Sequence, residues 1–419
     1  MNKKISLGVA ITAVILAIAL TVSGTMVWAM RYFSSMSGGM EQRQAIYDYI
    51  DEIDKSARNY YEIEEERIRV ALANGYLEGL QDPYAEYLSA EQYKVVQDEL
   101  EGNRTGFGLT VTLSRDNRLV ISTVDPNSPA ALAGIEEGDT VSAIDGEAMD
   151  GSLYVALNDK LNTLQKMKLS VIHDGMPTTV ELAANTYKAL SVKSRMLSES
   201  VGYIGIRYFN KLTAEEFKNA YNTLTKKGAL YFVFDLRNNV GGSLDTVKNL
   251  LDYVLPRGSY AICTTKEGKE VFTAQDDFEI TPRTVTLVNQ TTTGEAEFFA
   301  AALRAANKTV LVGTGTQGKA VAQEYFSVDS DKAAVRLSVG TLSLVQSSIE
   351  WEQTGLFPDY TVELSEDKVA YFDLLTDEED TQIQKALDVL KNSTVTENLS
   401  STVTTVTATA DASTTTQNE

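Results

Sequence analysis

The sequence predicts a mixed α/β (α+β) protein made of consecutive parts. These are an apolar N-terminal helix, a helical segment, a β-rich module, a larger α/β core and a disordered tail. Three observations carry this reading. An uncharged apolar run extends from Ile5 to Met30. Helical spacing gives way to short β-rich runs near Thr105. From residue 188 to 392, strand-like and helix-like segments alternate. With 419 residues and 43% hydrophobic content, the chain has room for two or three cores.

Residues 1–31 read as a cytoplasmic end and a transmembrane anchor. The apolar run is long enough to cross a hydrocarbon core of ~30 Å as a helix. It exceeds the about 7–15 apolar residues of a signal peptide. A cleaved signal, with "VWA" at Val27 to Ala29 as a weak site, is the alternative. Lys3 and Lys4 hold the N-terminus in the cytoplasm, although Arg31 weakens the asymmetry. The expected address is the cytoplasmic membrane, crossed once, with the bulk of the chain extracytoplasmic.

Residues 41–100 carry the helical segment. "IRVALANGYLEGL" from Ile68 places apolar residues three and four apart. A Pro83 turn follows, and Ser89 is a helix cap. Residues 104–187 are the β-rich module, with "LTVTL", "RLVISTV", "DTVSAID" and "MKLSVIH" as strands and "GSLYVALNDKLNT" as its helix. In residues 188–392, strands such as "ALYFVFDL" and "TVTLVN" alternate with helices such as "TAEEFKNAYNTLTKK" and "EAEFFAAALRAA", which predicts parallel β-α-β units. Residues 393–419 are rich in Ser and Thr, nearly free of core-forming residues, and expected to be disordered.

Composition excludes several functions. A net charge of −21 argues against nucleic acid as a partner, and against anionic lipid headgroups except near Lys3, Lys4 and Arg31. Cys263 is the single cysteine, so no intramolecular disulfide and no Cys-rich metal site exists; in "YAICTT" it reads as a small core residue. His173 is the single histidine, at a strand end before a turn, and reads as an ordinary residue. A Ser-His-Asp triad or a His-rich zinc site would have to use it. No cofactor or metal is implied, and hydrolytic chemistry would need another base.

The module around residues 104–187 closely resembles a PDZ domain, through "GFGL" (Gly106 to Leu109), "SPAALAGIEEGD" (Ser128 to Asp139) and "AIDG" (Ala143 to Gly146). The resemblance implies that Gly106, Phe107 and Gly108 offer backbone N–H groups to a peptide carboxylate. The peptide then adds as a strand, with Leu109 and Val111 lining a pocket. Two glycines there permit close backbone approach.

"YFVFDLRNNVGGSLDTV" (Tyr231 to Val247) is a buried strand entering a Gly-Gly turn and a helix. It resembles the signature of the C-terminal processing (tail-specific) serine peptidases, which carry Pro where this chain has Val240. "DPYAEYL", "VLVGTGTQGKAVAQ", "GLFPDYTVEL" and "QIQKALDVL" match in order, so the resemblance covers roughly Tyr60 to Asn392. It implies a Ser–Lys pair, with Lys319 as general base and Gln323 supporting it. A buried lysine can lose its proton near neutral pH. Four residues of strand span ~13 Å, so contact between these two needs a bulge or turn, for which Gly318 offers a place. The Gly241–Gly242 turn would supply the oxyanion N–H. Asp235 and Arg237 read as residues that hold this loop together.

The family's nucleophile pattern, "VN-x-G-T-A-S-A-S-E", falls on "VNQTTTGEAE" without a gap and sets the serine on Gly294. Glycine has no oxygen with which to attack a carbonyl. Local chemistry alone explains the segment as a helix start, with Thr292 and Glu295 as a capping box and Glu295 and Glu297 complementing the dipole. Three functions follow. One is a pseudo-peptidase that binds polypeptide C-termini or unfolded clients as a scaffold or as regulator of an active relative. The second is an endopeptidase with a noncanonical nucleophile such as Thr293. The third is an anchored peptide-binding module whose large domain is only support. The resemblance also hints at a homodimer through terminal helices.

Overall fold

The computed structural model describes residues 43–276, 278–280, 283–328 and 332–392, with residues 21, 25 and 26. Most of the expected anchor and the whole expected tail lie outside the described residues. Among those described, no helix is long and apolar enough to cross a membrane.

The chain divides after Gly79. The first unit contains helix α1 (residues 43–57) and helix α2 (Glu65–Gly79). Arg58 ties them together, pairing with Asp54 at 2.6 Å and Glu65 at 2.6 Å. Both pairs are exposed, where an ion pair contributes about 0–1 kcal/mol.

The second unit opens with strand β1 (Glu86–Leu88) and helix α3 (Ala90–Leu100). Ser89 caps α3 in a reciprocal box: its Oγ accepts from the Gln92 N–H at 3.3 Å, and Gln92 Oε1 accepts from the Ser89 N–H at 2.9 Å. The segment expected to be helical thus contains a strand.

Strand β2 (Asn103–Gly106) enters the PDZ-like module. Its sheet is formed by β3 (Leu109–Leu113), β4 (Leu119–Val124), β5 (Thr140–Ile144), β6 (Glu147–Ala148), β7 (Lys166–His173) and β8 (Met176–Ala183). Helix α4 (Pro129–Leu132) follows β4, and α5 (Tyr154–Thr163) precedes β7. The order is β3-β4-β5-β7-β8, so β3 is an edge. Ile121, Val141, Ile144, Leu157, Leu169 and Val171 make its core. Strand β9 (Asn185–Lys188) leaves the module antiparallel to β2, pairing Lys188 with Asn103.

The core follows as β10 (Val192–Met196), β11 (Val201–Ile206), α6 (Thr213–Lys226), β12 (Tyr231–Asp235), α7 (Leu244–Val254), β13 (Gly258–Thr265), β14 (Lys269–Ala274), β15 (Thr284–Val288), α8 (Glu295–Ala305), β16 (Thr309–Gly313), β17 (Val321–Val328), β18 (Ala333–Leu344), β19 (Tyr360–Thr361), α9 (Glu366–Ala370) and α10 (residues 381–392). The main sheet runs β10-β11-β12-β15-β16-β19, parallel except for β10 against β11. Its central strands β12 and β15 are buried on both faces because helices cover both sides. Phe232 and Phe234 of β12 pack in the same core as α6, α7 and α8. Val233 faces the other way with Val285, Leu287 and α10's Ile383, Ala386 and Leu390. A second sheet joins β1, β18, β13 and β14, with β17 also on β18. Cys263 on β13 is buried in the main core.

Candidate active site

The carboxyl ends of the parallel strands β12, β15 and β16 feed three loops that meet, as expected for a crevice in an α/β sheet. The loop after β12 carries Gly241 and Gly242. The loop after β15 carries Gly294, and that after β16 leads to Lys319. Asn238 and Asn289 clamp the first two loops: the Asn238 N–H donates to Asn289 Oδ1 at 3.0 Å, and Asn289 Nδ2 donates to Asn238 Oδ1 at 2.8 Å. The buried ion pair of Arg237 with Asp235 (2.6 Å) and Asp380 (2.8 Å) anchors the base of this loop to the start of α10.

Gly294 is the N-cap of α8, with φ +60° and ψ −119°. This is a sharp strand-to-helix turn in a backbone region that is strained for residues with a side chain. An ideal Cβ built on Gly294 has one neighbour within 4 Å, Lys319 Cδ at 3.8 Å. A side chain here would therefore point at the base position and find room.

The capping chemistry differs from the expected Thr292–Glu295 box. Thr292 Oγ1 donates to the Leu236 carbonyl at 2.9 Å, bracing the loop after β12. The cap carboxylate belongs to Glu297, which is fully buried. It accepts from the N–H groups of Gly294 (3.0 Å), Gly318 (2.7 Å) and Lys319 (2.8 Å), and from the Thr316 hydroxyl. One carboxylate thus fixes the helix start and the lysine loop together.

Lys319 is half-buried, and burial lowers its pKa despite the nearby Glu295 carboxylate. Its ammonium lies 5.5 Å from the centre of the Tyr84 ring. Gln323 does not hydrogen-bond to Lys319. The register of β17 against β18 does shift beside Gln323, but the extra residue is Val339 on β18, and Gln323 Nε2 donates to the Tyr84 carbonyl at 2.9 Å. The two residues line one cavity of about 480 Å³ and meet through Tyr84. Tyr84 Oη donates to the Gly318 carbonyl at 3.0 Å and lies 3.2 Å from Glu352 Oε1. Burial and the Glu352 charge push the Tyr84 phenol up to about 12. The "DPYAEYL" stretch was the available signal for Tyr84, but a tyrosine in sequence does not announce which loop it roofs.

Neither glycine of the expected oxyanion turn has a free N–H. Gly241 donates to Asn239 Oδ1 at 2.8 Å, and Gly242 donates to Glu295 Oε2 at 3.0 Å. Burial raises the pKa of Glu295, opposed by Lys319. Thr293 Oγ1 is buried and has no hydrogen-bond partner. Among the described residues, no group of three or more His, Cys, Asp or Glu is placed to hold a metal ion.

In the β-rich module, the Phe107 carbonyl accepts from Ala130 N–H (2.9 Å) and the Gly108 carbonyl from Asp125 N–H (2.8 Å). A Cβ on Gly108 would lie 2.0 Å from Ser128 Cβ, so this loop requires glycine. Gly106 is half-buried with no atom within 4 Å of such a Cβ. Leu109 is half-buried at the open edge, but Phe107 and Val111 are core residues, 3% and 1% exposed, and not pocket walls. Leu109, Val111 and Leu113 share one face of β3 by two-residue alternation, and that face packs on the module's core. A second cavity runs from Thr110 and Thr123 past Arg104 and Arg207 to Asn238, and shares Glu99, Tyr208 and Val240 with the Lys319 cavity.

A PDZ-like module beside an α/β core, with a strained strand–helix turn aimed at a half-buried lysine, is the architecture of the serine-peptidase class to which the sequence motifs point. Models of peptidase family S41 and of the PDZ domain match residues 200–362 and 120–153, respectively. The carboxyl-terminal-processing protease of Synechocystis is 30% identical over 323 residues, covering 74% of each chain. The carboxy-terminal processing protease CtpA of Bacillus subtilis is 29% identical over 323 residues, covering 75% of this chain and 68% of its own. A solved structure assigned to the S41 proteases, from Bacteroides fragilis, shares the fold with TM-score 0.53 at 20% identity, over 80% of this chain and 91% of its own. The chain belongs to peptidase family S41, among the carboxyl-terminal processing proteases.

Proposed function

We propose that this is a membrane-anchored member of its family that binds unstructured protein C-termini through the PDZ domain and does not cleave them. The observation that carries the reading is Gly294: the position whose side chain would face Lys319 has none. Loss of the nucleophile in serine hydrolases leaves only about 10³–10⁴-fold acceleration over water. Thr293 is a poor substitute, since its hydroxyl makes no hydrogen bond to Lys319 or to any other base. The open β3 edge supports peptide addition, and the cavity beginning at Thr110 gives a bound chain a route towards the Lys319 cleft. The extracytoplasmic address rests on the N-terminal apolar run and its lysines.

The test uses the full-length protein in detergent with an unfolded protein ending in apolar residues. Binding without new fragments, lost in Leu109→Asp, is the expected result. Cleavage that disappears in Lys319→Ala would return the protein to the active peptidases.

A further inference from the structure

We propose that the Glu295 carboxylate is a tethered anion that fills the oxyanion site, a block on peptide hydrolysis separate from the missing nucleophile. The inference rests on the reading that this cleft is a peptidase cleft, and it concerns a different residue.

The geometry is specific. Glu295 is the first residue of α8, directly after Gly294. Its Oε2 accepts from the Gly242 N–H at 3.0 Å. A Cβ on Gly241 would lie 2.3 Å from the same oxygen, so the carboxylate rests on the Gly-Gly turn itself. The hydroxyl of Thr293, a residue 9% exposed, is buried and unpartnered at the rim of the same cavity. Lys319 lines the same cavity and opposes the burial that raises the Glu295 pKa.

A tetrahedral intermediate needs that N–H aimed at its oxygen. Here that donor is already taken by a Glu295 carboxyl oxygen, and hydrogen bonds to a carboxylate are the stronger kind. The tether gives the carboxylate a high local concentration, so an incoming carbonyl oxygen competes poorly. A serine at Gly294 would therefore stand beside its base while the charge it creates on the substrate has no stabilising donor. Removing one oxyanion donor costs roughly 10²–10³ in rate.

The experiment compares the full-length wild type, Gly294→Ser and Gly294→Ser/Glu295→Ala on an unfolded protein substrate. The double variant should cleave at least about 100-fold faster than the single one. A single variant as fast as the double one overturns the proposal, and so do two equally silent variants. A second measurement does not depend on restored activity. With ¹⁵N-glycine labelling, the Gly242 amide proton of the wild type should lie downfield and move upfield in Glu295→Ala. An unchanged resonance also overturns the proposal. Cleavage by the wild type would instead overturn the non-catalytic reading, and the Gly242 resonance would still decide the role of Glu295.

Discussion

Glu297 is the residue on which the assembled cleft depends most, and its removal should be costly. Its buried carboxylate satisfies three backbone N–H groups, of Gly294, Gly318 and Lys319, and the Thr316 hydroxyl. Glu297→Ala would orphan all four donors, at about 1–3 kcal/mol for each buried group left unpaired. Water entering the vacated space would recover part of this, so the net loss is about 3–5 kcal/mol, in the range for breaking a buried charged contact. Glu297→Gln tests the chemistry at constant volume. An amide NH2 on the Oε1 side meets the Gly318 N–H, and on the Oε2 side it meets both Gly294 and Lys319. Either orientation sets donor against donor, so glutamine should still cost about 1–3 kcal/mol. Trp351 is 1% exposed, in the same core as α8, and reports unfolding by fluorescence in a Trp28→Phe background. With urea slopes of about 1–3 kcal/mol/M, the alanine midpoint should fall by about 1 M or more. Unshifted midpoints in both variants would refute the reasoning, as would a glutamine variant as stable as the wild type.

Arg237→Met should cost about 3–5 kcal/mol by leaving Asp235 and Asp380 buried without their cation, and α10 should become the first segment released by limited proteolysis. Arg237→Lys should not rescue it, because one ammonium cannot reproduce the forked contacts to both carboxylates. Gly108→Ala should abolish binding of C-terminal peptides measured by fluorescence anisotropy, since its Cβ would overlap Ser128 and its φ is +79°. The hydrogen bond that His173 Nδ1 donates to the Asp139 carboxylate, with the charge of that carboxylate, raises the His173 pKa. The stability this pair contributes is complete below the unfolded histidine value of about 6.5 and fades as pH rises through the folded one. The thermal midpoint of wild type should therefore lose ground to that of His173→Gln as pH rises above 7, and a constant difference would count against it.

Much of the fold was legible because each layer leaves a local trace. "YFVFD" and "TVTLV" lack the apolar–polar alternation of a half-exposed strand, since both faces of the main sheet are buried there. Ser89 and Gln92 carry a capping box within four residues. What could not be read depends on distant partners. Strand β1 is only Glu-Tyr-Leu, and it becomes a strand because β18 pairs with it from the far end of the chain. Leu109 and Val111 share a face by strict alternation, but which side of β3 meets the module's core is fixed by strands and a helix that follow much later. Within the cleft, Gly294 and Lys319 follow from motif spacing. The Tyr84 roof over the lysine and the turn of Glu295 towards Gly242 are three-dimensional facts about side-chain direction.

The β2–β9 ribbon has a consequence for how the chain assembles. Asn103 and Lys188 are paired neighbours, so the PDZ domain leaves and re-enters the core through a narrow two-strand neck. Tyr84 lies before this neck in sequence, and every other wall of the Lys319 cavity apart from its own neighbours and α3 lies after it. An early-folding cassette that zips this neck would shorten the effective loop between the two halves of the cleft, and each halving of loop length lowers the closure cost by about 0.6 kcal/mol. Destabilising the PDZ domain would then slow assembly of the distant lysine pocket without touching any atom in it.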